Sequence, residues 1–145
     1  MTARSKNHDW LAQTVETALE TELPICDPHH HLWDQNTART ASRYLIDEIV
    51  ADVTAGHNIV STVFIECGAM FKQDGPEAMR PIGETEFVNG IAAMSASGIY
   101  GKTRIAAGII GTANLKLGDA VGAVLDAQIA AGGGRSSTWN PNTRQ

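Results

Sequence analysis

The stretch Ile59-Val60-Ser61-Thr62-Val63-Phe64-Ile65-Glu66-Cys67 is rich in β-branched residues and nearly all apolar. Such a run predicts a strand buried on both faces, as in a parallel sheet covered by helices. Just before it, residues 44–55 predict a helix. Leu45, Ile49 and Val53 recur every four positions with Ile46 and Val50 alongside, acidic residues take the other face, and Gly56 supplies the stop. Just after it, residues 68–84 hold three Gly and two Pro and read as a long loop.

The same alternation extends in both directions. Residues 84–97 predict a helix with Phe87, Ile91 and Met94 on one face, weakened at Gly90 by about 1 kcal/mol relative to Ala. Residues 103–111 predict another buried strand. Residues 119–131 predict a helix capped by Asp119, with Val121, Val124, Leu125 and Ile129 inward and Gly132-Gly133-Gly134 as its stop. Toward the N-terminus, Ile25-Cys26-Asp27 opens a first strand after Pro24. Residues 9–20 predict a helix capped by Asp9 and carrying Trp10, Val15 and Leu19. The order is a helix followed by three βα units, which implies right-handed crossovers and an α/β fold with a parallel sheet.

Composition narrows the function classes. The chain has 145 residues, 43% of them hydrophobic and 19% charged, with a net charge of −5. No basic run stands out, so nucleic acid and anionic membrane surfaces are not expected partners. No apolar stretch approaches the roughly 20 residues of a membrane helix. Cys26 and Cys67 form neither a CxxC pair nor a disulfide framework. They read as reduced thiols in a cytoplasmic setting.

The chemistry concentrates at Asp27-Pro28-His29-His30-His31-Leu32-Trp33-Asp34, at the end of the first strand. Residues two apart in an extended chain project to one side, so His29 and His31 point together and His30 points away. Two imidazoles there form half of a divalent-metal site, or else a hydrogen-bonded pair. Asp27 is a third ligand or a group that orients one. Glu66 ends the strongest strand, beside the histidines, and either serves the site or meets water. Arg80, in the 68–84 loop, either holds a substrate carboxylate in a bidentate fork or makes a surface ion pair. Cys67 has no basic neighbour in sequence that would activate it. The Gly132–Gly134 run follows a helix instead of opening one and is no phosphate loop.

The Asp27–Asp34 motif resembles the first-strand motif of the amidohydrolase-related family, in its lactonase-like branch. Phe64-Ile65-Glu66-Cys67 and the segment Asp74–Glu86 are similar to the second strand and following helix start of that branch. The resemblance spans residues 22–134 and implies the first three βα units of a (β/α)8 barrel, in a metal-dependent hydrolase. It implies His29 and His31 as ligands of a divalent metal, zinc in type, or as substrate contacts in metal-free members. The implied reaction is hydrolysis of a lactone or amide by an activated water, with a carboxylated lactone as one candidate small-molecule substrate. A sister branch decarboxylates aromatic acids.

The barrel needs about 250 residues, and the family's mid-barrel histidine and late aspartate have no counterpart here. The expectation is therefore an incomplete barrel over residues 1–134, weakly active or inactive alone. Residues 135–145 are expected to be a disordered or misassigned tail. Uncovered strands would favour self-association. Three alternatives stand beside this: a decarboxylase of the same superfamily, a non-catalytic α/β binding fragment, and a small complete α/β domain with a structural metal.

Overall fold

The computed structural model describes residues 10, 13–14, 16–34 and 43–135. Among these, three strands form one parallel sheet in the order β1 (Ile25–His30), β2 (Ile59–Ile65) and β3 (Arg104–Ile110). Helix α1 (Ile46–Val53) joins β1 to β2, and α2 (Ile82–Ala96) joins β2 to β3. Helix α3 (Val121–Ala131) follows β3. The three βα units are thus present in the expected order, and the strands begin within a residue of their predicted starts.

The core lies between the helices and one face of the sheet. Phe64, Ile105, Ile109, Val88, Ile91, Ile49 and Leu32 pack together there. The opposite face is not sealed: Ser61, Val63 and Ile65 of β2 are only half-buried, so the expectation of burial on both faces fails on that side. Gly108 presses against the Val63 side chain on this open face, where a Cβ would lie 3.5 Å from both methyls.

Several boundaries move for physical reasons. The segment 9–20 does not continue as a helix through residues 16–20; residues 9, 11, 12 and 15 lie outside the described set. Trp10 and Leu19 are 69% and 82% exposed, so the apolar stripe buries against nothing, and a short helix without packing is marginal. Helix α2 starts at Ile82, inside the segment predicted as loop. Gly83 permits this, because a Cβ there would sit 2.5 Å from the Met70 carbonyl oxygen and 2.9 Å from the Lys72 nitrogen. The inward residues of α2 are Glu84, Thr85, Val88, Ile91, Ala92 and Ser95, while Met94 is exposed.

Asp119 does not cap α3. It lies in a 3-10 segment, Leu115–Ala120, whose own cap is Asn114, and Ala120 precedes the helix. Ile129 faces outward. The buried positions of α3 are Val124 and Gln128, and Gln128 is satisfied by the Thr85 hydroxyl and the Thr112 carbonyl. Past α3 the chain returns to the outer side of β3, where the Ile109 N–H donates to the Arg135 carbonyl at 3.1 Å. Arg135 also donates from Nη1 to Asn89 Oδ1. Residues 136–145, most of the predicted tail, lie outside the described residues.

Candidate functional site

Pro28 shapes the end of β1. It has no N–H to give to the ladder, and the pairing slips there: Asp27 lies opposite Thr62 and His30 opposite Phe64, so β1 spends an extra residue. His30 goes to the helix-covered face, edge-to-face with the Phe64 ring at 5.8 Å. His29 and His31 go the other way, as their two-residue spacing predicts. Their rings meet at right angles with centroids 4.9 Å apart, and their Nε2 atoms are 3.2 Å apart.

His31 is held by the neighbouring strand. Its Nδ1 lies 2.8 Å from the Ile65 carbonyl, which can only accept, so the proton sits on Nδ1 and Nε2 of the neutral ring keeps its lone pair. Trp33 stacks at a tilt against the same imidazole. It is fixed in turn by two backbone hydrogen bonds to Tyr44. The donor spacing fits a metal. Two imidazole nitrogens bound tetrahedrally at about 2.0–2.1 Å lie about 3.3–3.4 Å apart, close to the separation seen. Among the described residues no group of three or more His, Cys, Asp or Glu side chains gathers around a common point, and the donors that meet there are the two imidazoles.

The other predicted residues take distinct places. Asp27 turns Oδ1 onto the His29 backbone N–H at 3.1 Å and so braces the turn that presents His29. With His30, Tyr44, Ile49 and Asp52 it also lines a cleft of about 340 Å³ between β1 and α1. Glu66 is half-buried, one residue beyond the carbonyl that holds His31. Its backbone N–H donates to Ile110 (2.9 Å), and it lines a cleft of about 270 Å³ beyond the ends of β2 and β3 with Gly111, Thr112 and Leu115. Arg80 stands apart from these, in a third cleft formed by the loops after β2 and β3.

His30 is 8% exposed, and neither ring nitrogen has a hydrogen-bond partner among the described residues. Burial lowers its pKa to about 4, so it is neutral at physiological pH.

Sequence reading missed Glu84. It is 2% exposed in the first turn of α2. Its Oε1 accepts the backbone N–H of Ala69 at 2.7 Å and of Cys67 at 3.1 Å, and the Cys67 thiol at 3.5 Å. One carboxylate thereby ties down the loop that follows the Ile65–Glu66 strand end. Burial raises the Glu84 pKa, against the pull of those donors. Burial and the Glu84 charge push the Cys67 thiol up to about 11, so it is no thiolate nucleophile at neutral pH. The available hint was an acidic residue at a helix start, where carboxylates are favoured.

Comparison with known proteins adds no relative: no family model, curated protein or solved structure matches the chain. No helix among the described residues is long and apolar enough to cross a membrane.

Proposed function

We propose that this chain is the N-terminal portion of a metal-dependent (β/α)8 hydrolase of the amidohydrolase-related type. It acts on a lactone or amide, with a carboxylated lactone as one candidate small-molecule substrate. The observation that carries this is the convergence of the His29 and His31 Nε2 atoms, 3.2 Å apart, at the carboxyl end of β1. Ligands in parallel α/β folds bind at that end. The half-open sheet face and the return of the chain to the outer side of β3 suit a sheet that continues.

When bound, a divalent cation, zinc in type, supplies Lewis acidity toward a carbonyl oxygen and an attacking water. The chain's own residues present and hold the donors. The Ile65 carbonyl fixes the His31 tautomer, Asp27 braces His29, and Glu84 keeps the adjoining loop in place. Further strands would supply the remaining ligands and the general base. Open sheet edges favour self-association, and the free thiols of Cys26 and Cys67 suit a reducing cytoplasm.

The test is zinc titration of the wild type against a His29→Ala/His31→Ala double variant, with hydrolysis of a lactone panel followed in parallel. Saturable zinc binding that disappears in the double variant supports the site, and equal binding by both proteins overturns it. The two-donor set favours a second reading, a binding fragment without turnover. That reading predicts zinc binding with no lactone or amide hydrolysis and no decarboxylation.

A further inference from the structure

We infer that the cleft around Arg80 is a separate binding site for a small monocarboxylate with a flat apolar body, such as an aromatic acid. The cleft encloses about 670 Å³ between the loop after β2 and the loop after β3. Both loops leave the carboxyl ends of parallel strands, the side on which such sheets take ligands.

The backbone of Arg80 is anchored, and its side chain is exposed. Its backbone N–H donates to the Glu77 carbonyl (3.2 Å), and its own carbonyl accepts from Lys72 (2.9 Å) and Gly83 (3.2 Å). The guanidinium makes one long contact, from Nε to the Gly75 carbonyl at 3.4 Å. Lys72, whose backbone meets that of Arg80, has its ammonium engaged by Glu86 at 2.7 Å. Among the described residues no carboxylate lies within ion-pairing distance of Arg80. Its two terminal amino groups are left with the planar fork that matches a carboxylate.

The walls select the rest of the ligand. Phe71 is 41% exposed and lines the cleft with Leu117 and Pro81, which offers flat apolar surface beside a cation. Glu77 lines the same cleft. The Arg80 fork can pair with one carboxylate, and the Glu77 charge in the same wall repels a second, so a dianion is disfavoured. None of these groups comes from β1, so the inference stands independently of the histidine pair.

The probe is benzoate, titrated into the full chain and followed by calorimetry and ligand-observed NMR. The expected result is saturable millimolar binding, about tenfold weaker for benzamide and phthalate. Arg80→Gln should weaken benzoate about tenfold or more, Arg80→Lys should fall between it and wild type, and Phe71→Ala should weaken it severalfold. The His29→Ala/His31→Ala variant should bind benzoate as wild type does. Absence of saturable binding overturns the proposal, as does equal affinity in wild type and Arg80→Gln. Loss of benzoate binding in the histidine variant overturns the site's independence, whereas loss of zinc alone leaves it intact.

Discussion

The Glu84 carboxylate accepts the Ala69 backbone N–H at 2.7 Å from the first turn of α2, across fifteen residues of chain. A buried carboxylate with two backbone donors is a structural clamp. Removing it leaves both part-buried N–H groups without that acceptor. Glu84→Ala should cost about 3 kcal/mol and Glu84→Gln, which keeps one acceptor oxygen, about 1 kcal/mol. Urea denaturation would measure both as shifts in midpoint at constant slope. Equal losses in the two variants would show that side-chain packing, and not the acceptor, is what matters.

Burial first, and the same carboxylate second, raise the pKa of the Cys67 thiol. With a pKa raised to about 11, thiolate at pH 8 is about a thousandth of the total, and alkylation by iodoacetamide should rise about tenfold per pH unit from 7 to 10. Glu84→Gln removes the negative charge that opposes ionisation, so the pKa falls and alkylation at pH 8 speeds up. A rate that is flat with pH, or unchanged in Glu84→Gln, would contradict this coupling.

Two glycines of α2 should respond in opposite directions. Gly83→Ala places a Cβ 2.5 Å from the backbone oxygen of Met70, which a packed loop cannot yield cheaply, and should cost about 2 kcal/mol or more. Gly90→Ala meets nothing within 4 Å and should stabilise by up to about 1 kcal/mol through helix propensity. Thermal or urea melts of the two variants check the sign of each.

His30→Leu should be neutral or stabilising. The imidazole is buried beside Phe64 with neither nitrogen bonded among the described residues, so an apolar replacement loses no hydrogen bond there and removes an unsatisfied polar group. A loss above about 2 kcal/mol in chemical denaturation would show a polar role for His30.

Much of the fold could be read in advance because its signals are local. The β-branched run at 59–65 and the fourfold spacing of Leu45, Ile49 and Val53 are properties of neighbouring residues, and β2 and α1 form where they predict. The pairing of His29 with His31 was legible for the same reason. Nonlocal contacts were not. Glu84 sat in a glycine- and proline-rich stretch, and its partners lie fifteen and seventeen residues away. Gly83 read as a loop residue because its close neighbours at Met70 and Lys72 are invisible to a propensity argument. Gln128 carries no sequence signal of its burial, because only the fold brings Thr85 and Thr112 to it. The predicted 9–20 helix does not run through residues 16–20, where Leu19 has no packing partner among the described residues, and no periodicity can disclose that.

The bond from Ile109 to Arg135 gives the sheet a direction of growth. Successive strands are laid down on one side only, β2 beyond β1, β3 beyond β2, and the returning chain beyond β3. Under that rule the free side of β1 is the one place where growth never adds a neighbour. A sheet that curls until its ends meet would therefore place its seam beside β1. The His29–His31 pair stands at that rim, on the edge strand of the three.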